Sequence, residues 1–177
     1  MNADLWLRRF QAPRLIRRHV AVELLAARDA SGQARFVVTG SKQADRERTK
    51  RRFDEVARVH ERVQHPRIPR LVERSAADDV EFLSFDCDVA ADGPHVLERF
   101  AATGQRLPYE AADAFIYGLR EALEAAHSVA DPQTGRPTCI GRIAYENLMF
   151  ATDGRYWLFG LGHNLVVARD TGVLSGA

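Results

Sequence analysis

Residues 139–165 read Cys-Ile-Gly-Arg-Ile-Ala-Tyr-Glu-Asn-Leu-Met-Phe, then Ala-Thr-Asp-Gly-Arg, then Tyr-Trp-Leu-Phe-Gly-Leu-Gly-His-Asn-Leu. Asp153-Gly154 is a two-residue turn signal between the apolar runs 148–150 and 156–159, which predicts a tight β-hairpin. The polar pair Glu146-Asn147 stands just before the first strand, and Gly160-Leu161-Gly162 just after the second. A hairpin brings its two ends together, so these polar and glycine positions are expected side by side at its base.

Upstream of this hairpin the pattern is mixed. Val20, Val22 and Leu24 alternate with polar or small neighbours, and the Asp29–Gly32 turn leads into 35–39, which predicts a second hairpin. From Asp45 a charged stretch carries Phe53, Val56, Val59 and Val63 at helical intervals. His65-Pro66 is expected to stop that helix, because proline disfavours a helical conformation in the residue before it. Val80–Phe85 reads as a strand and 86–94 as a linker. A short helix is expected over 95–102, ended near Gly104. A longer one follows Pro108, with Glu110 in its first turn where the helix dipole favours an acid. Phe115, Ile116, Leu119, Leu123 and Ala126 form one apolar stripe along it, and a polar loop runs on to Pro137.

A chain of 177 residues with 46% apolar content fits one domain, or one domain of two small lobes. The formal net charge of +1 supplies no general field for nucleic acid or an anionic membrane. Lysine occurs only at Lys42 and Lys50, and arginine supplies the other basic residues, as genome composition bias would produce. Cys87 and Cys139 are too few for a disulfide framework or a zinc site, so a reducing cytosol is expected. The N-terminus has no charged-then-apolar signal pattern, and no run approaches the ~18 apolar residues of a membrane span.

The order of hairpin, helix, strand, linker, helices and hairpin resembles a protein kinase from its second strand to its D-F-G position. Ala27-Arg28-Asp29 with the glycine turn is similar to the family's second-to-third strand connection. Arg52-Phe53 through His65-Pro66-Arg67-Ile68 is similar to the small-lobe helix and the H-P-N-I turn after it, and Leu107-Pro108 through His127 to a large-lobe helix. The hairpin resembles the catalytic loop running from H-R-D-x-x-x-x-N to D-F-G. The resemblance implies an α+β, two-lobed kinase-like fold, with residues 1–86 forming strands and the small-lobe helix. Residues 87–177 would form a partial large lobe, incomplete because the likeness runs out after Gly162.

Registered on Glu146-Asn147, the resemblance puts Ile140 at the motif histidine, Gly141 at the arginine and Arg142 at the catalytic aspartate. Asn147 then matches the metal-holding asparagine, and Gly160 replaces the metal-holding aspartate. The glycine-rich loop falls at Arg17, His19 and Val22, the third-strand lysine at Thr39 and the helix glutamate at Val56. Glu55 is adjacent to Val56 but about 100° around a helix of ~3.6 residues per turn. Lys42 would need a different reach.

Arginine is permanently protonated and cannot act as a base, so Arg142 cannot do the aspartate's work. Magnesium takes several oxygens, usually including carboxylate or phosphate, so Asn147 is expected to brace its loop by hydrogen bonds rather than to hold metal. Ile140 and Leu161 would keep an apolar column. His127 is expected to be structural, and His60 and His163 have no evident partner. The run Arg46, Arg48, Lys50, Arg51, Arg52 is interleaved with acids and reads as a solvated helix face, or as a docking patch for an acidic partner. Trp6, Tyr156 and Trp157 read as core or lobe-contact aromatics.

The expectation is therefore a catalytically inactive kinase-like domain, bacterial and cytosolic, serving as a binding or regulatory module in signalling without a cofactor. The stripe Phe115, Ile116, Leu119 and Leu123 is expected to stay open and to meet a protein partner or a second copy. The alternatives are a divergent Ser/Thr kinase or small-molecule phosphotransferase using ATP and magnesium, the N-terminal fragment of a longer kinase-like protein, and an unrelated α+β domain.

Overall fold

The computed structural model describes residues 6–19, 21–41, 45–77, 80–130, 135, 137 and 143–161. The architecture is α+β. A five-stranded antiparallel sheet holds β1 (Gln11–Arg18), β2 (Val22–Arg28), β3 (Ala34–Gly40), β4 (Leu71–Ala77) and β5 (Val80–Phe85), in the order β1-β2-β3-β5-β4. A second sheet orders β6 (Ala91–Asp92), β7 (Leu148–Phe150) and β8 (Tyr156–Leu158). Three helices complete it: α1 (Arg46–His60), α2 (Gly93–Thr103) and α3 (Tyr109–His127). None of the helices described is long and apolar enough to cross a membrane.

The inner strands β2, β3 and β5 alternate their side chains between the two faces, as pleated strands do. Leu24, Val38 and Leu83 are cross-strand partners, as are Phe36 and Phe85. All five lie in the principal core, with Phe53, Val56 and Ala57 of α1 and with Met149, Trp157 and Phe159 of the hairpin. Leu25, Val37 and Phe82 face the other way and pack with Phe10. The principal core draws on residues from both sides of residue 86, Phe85 and Cys87 among them.

Three strands go beyond the sequence expectation: the short β6, inside the expected linker 86–94, and the two edge strands of the main sheet. β1 is Gln-Ala-Pro-Arg-Leu-Ile-Arg-Arg, whose proline and arginines mask a strand pattern but suit the sheet edge it occupies. β4 forms the opposite edge with a sequence of modest strand preference.

Helix ends follow local chemistry. Asp45 caps α1 by accepting the Arg48 N–H at 3.0 Å. α1 ends at His60, short of the expected stop at His65-Pro66. Asp92 caps α2 by accepting the His95 N–H at 3.0 Å, so that helix starts at Gly93 and not at His95 as expected. Gly104, at φ 63°, ends it in the left-handed conformation that glycine adopts without strain.

Candidate functional site

The 148–158 hairpin forms as expected, with Leu148 opposite Leu158 and Phe150 opposite Tyr156. Its base brings Asn147 and Gly160 together, because the Phe159 N–H donates to the Asn147 carbonyl at 2.7 Å. Asn147 is buried, and its Oδ1 accepts the Ala144 N–H at 3.0 Å. That hydrogen bond braces the loop that leads into the hairpin. Gly160 is buried at φ 77°, a conformation that side chains bearing a Cβ adopt with strain. Leu161 is fully buried beside Leu158, Ala122 and Ala126. Cys139, Ile140, Gly141, Arg142, Gly162 and His163 lie outside the described residues, as do Val20, Lys42 and the Trp6 side chain.

Thr39 and Val56 are not brought together. Val38 and Val56 share the principal core at 0% exposure. Successive strand residues alternate faces, so Thr39 points away from α1, on the side of Val37. The Thr39 hydroxyl is buried and lies 3.4 Å from the Glu81 carbonyl. The strand position that faces α1 is Val38, one residue from the position given by counting. Glu55 is half-buried on α1 and helps hold Arg52 in its charged form, against the burial that dominates there and the repulsion from Arg48.

The expected open stripe on α3 is divided by the fold. Leu119 and Leu123 pack against the cluster of Val63, Ile68, Leu158 and Leu161. Phe115 lies 4.6 Å, centre to centre, from the Tyr156 ring. Ile116 alone of the four stays exposed, at 64%, beside Tyr117 and with Tyr109 on the first turn. The hairpin closes most of the face that was expected to need a partner.

His60, with no evident partner in the sequence, is fully buried at the end of α1. Its Nδ1 lies 2.8 Å from the Pro69 carbonyl, and its ring meets Phe85 and Phe159 at 5.0 and 5.6 Å. Burial holds its pKa down to about 4, against the smaller pull of the Pro69 carbonyl.

Charged side chains tie β1 to the segment that joins the sheet to α2. Arg17 forks onto the Asp92 carboxylate through Nε and through a terminal nitrogen at 3.1 Å. One terminal nitrogen of Arg14 donates to the Val89 and Ala90 carbonyls at 3.1 and 3.0 Å. His19 sits beside this pair, and burial first and then Arg17 lower its pKa. Sequence reasoning took Arg17 only as a lost glycine position. The one signal available was Asp92-Gly-Pro, a cap-and-proline helix start. A separate open cavity of about 230 Å3 lies on α2, lined by His95, Val96, Arg99, Phe100 and Gln105, away from the residues the sequence singled out.

Among the described residues, no group of three or more His, Cys, Asp or Glu side chains is placed to hold a metal ion. The chain matches no protein-family model and no curated protein.

Proposed function

We propose that the chain is a degenerate kinase-like domain acting as a binding or regulatory module, without phosphoryl transfer. One observation carries this reading: the strand residue facing α1 is Val38 and its helix counterpart is Val56, both in a dry core. Kinases need a lysine–glutamate pair between strand and helix to position phosphate, and catalysis in this class is almost wholly positioning and electrostatics. Two valines packed there supply neither. The element order supports the same reading, with a helix between the third and fourth strands and a glycine-bounded hairpin after two helices. Arg17, which the resemblance puts at the glycine-rich loop, is engaged by an internal partner, Asp92.

The role that fits is recognition in signalling, in the bacterial cytosol, through a protein partner or a second copy. Ile116, Tyr117 and Tyr109 on α3 are the exposed apolar candidates for that contact.

The deciding measurement is thermal unfolding with millimolar ATP and magnesium. A ligand that binds only the folded state at ~100 times its Kd adds roughly 2.7 kcal/mol. We expect no rise, and no transfer of label from radioactive ATP to the chain or to generic protein substrates. A rise of several degrees that requires magnesium overturns the reading, as does transfer abolished by Arg142→Ala.

A further inference from the structure

β1 departs from regular pairing twice. Its register against β2 slips between Gln11 and Arg14 and again between Leu15 and Arg17, and Ala12 sits at φ 48°. Bulges of this kind re-aim side chains. Three residues apart in a regular strand, Arg14 and Arg17 would point to opposite faces. Here both reach the same segment, 89–92, more than 70 residues away along the chain.

The target is itself well held. The Ala90 N–H donates to the Phe150 carbonyl at 2.7 Å, and Ala91 and Asp92 pair with Phe150 and Met149. Asp92 has 2% of its side chain exposed, and its Oδ1 also caps α2 through the His95 N–H. One carboxylate therefore joins the edge strand to the first turn of a helix. Arg17, with 28% of its side chain exposed, remains within reach of solvent. Glu98 lies 3.9 Å from its guanidinium, and Glu146 and His19 complete the charged surroundings.

We propose that β1 is a strap, and that Arg14 and Arg17 latch it onto segment 89–92 and so hold the edge of the main sheet against the start of α2. The Val89 and Ala90 carbonyls and the Asp92 carboxylate are then satisfied from within the chain, and release of β1 requires both arginines to leave together. The proposal holds whether or not the domain is kinase-like, because it rests on the bulged register and the paired contacts alone.

Cys87 is the built-in reporter. It is buried at 5% exposure just before the latched segment, with Val89 beside it in the core. Burial raises its thiol pKa, so it is inert while the strap is closed.

In a Cys139→Ser background, the rate of Cys87 reaction with a maleimide would be followed in Arg17→Met, Asp92→Asn and their combination. Asparagine still caps a helix, so Asp92→Asn removes the latch charge and spares α2. Each single variant is expected to react about tenfold faster, equivalent to about 1.4 kcal/mol. The combination should be no faster than either single change, because both break one interaction. Unchanged rates, a rate raised by only one of the singles, or additive increases overturn the latch. If Arg17→Met loses its far-ultraviolet dichroism, Arg17→Lys serves instead: it keeps the charge but loses the fork. An intermediate rate then supports the latch, and an unchanged one overturns it. Mg-ATP stabilisation of the parent protein would sink the functional reading without touching this result.

Discussion

The Arg67 guanidinium lies 4.1 Å from the centre of the Tyr156 ring, in space left open by Gly118 on α3. The Tyr156 hydroxyl donates to the Phe115 carbonyl at 2.8 Å, and the Arg67 carbonyl accepts the Leu158 N–H at 2.7 Å. Three segments meet at this point: the turn after α1, α3 and the hairpin strand β8. The hairpin that carries Asn147 and Gly160 is thus held in place from outside.

Gly118→Ala tests that contact. A Cβ there would overlap the Arg67 guanidinium and lie 2.5 Å from the Tyr156 hydroxyl. Alanine gains about 1 kcal/mol of helix preference over glycine, and overpacking costs about 1–3. We expect a net loss and a Tm lower by a few degrees. Adding Arg67→Ala should recover part of it, and a Gly118→Ala protein more stable than the parent contradicts the packing described.

His60 should make stability depend on pH. Its folded pKa of about 4 lies below the ordinary 6.5, so the unfolded chain takes up the proton first. The unfolding free energy is then full above pH 6.5 and falls as pH drops towards 4, by about 3 kcal/mol in all. Urea unfolding from pH 7.5 to 4.5 should show this slope, and His60→Phe should flatten it relative to the parent.

At the hairpin base, Asn147→Ala leaves the Ala144 N–H without its acceptor, at a cost of about 1–3 kcal/mol. Gly160→Asp places a Cβ at φ 77° and should cost about 1–2 kcal/mol. Neither variant should gain stability from magnesium. Differential scanning calorimetry with and without the ion reads both effects, and a magnesium-dependent rise in Gly160→Asp would count against the inactive reading.

On α3, Ile116→Glu and Leu119→Glu should part company. Leu119 packs into the second core cluster, so a charge there should cost at least about 2 kcal/mol. Ile116 is exposed, and its replacement should change stability by less than about 0.5 kcal/mol. If this face mediates self-association, light scattering across a concentration series should show the mass rising for the parent and not for Ile116→Glu. Equal association in both removes Ile116 from the contact.

Much of the order of elements was legible because its signals are local. Asp153-Gly154 marked the hairpin, the 3–4 spacing of Phe53 and Val56 marked α1, and the apolar stripe marked α3. The edge strands were hidden because an edge needs only one partner, so β1 tolerates Pro13 and its arginines. The resemblance gave Thr39 and Val56 their positions one at a time, and residue order alone does not say which face of a strand a residue takes. Only pairing with β2 and β5 shows that Val38 looks at α1.

The sequence by itself determined the α+β class, the turn at Asp153-Gly154, and the helical stretches that became α1 and α3. Each follows from residue type and short-range spacing. The tertiary structure alone decided that Leu119 and Leu123 are covered by the hairpin, that His60 is buried against Phe85 and Phe159, and that Arg14 and Arg17 reach the same segment. Those outcomes depend on which distant surfaces meet and on two slips of register in β1, and neither leaves a periodic trace along the chain.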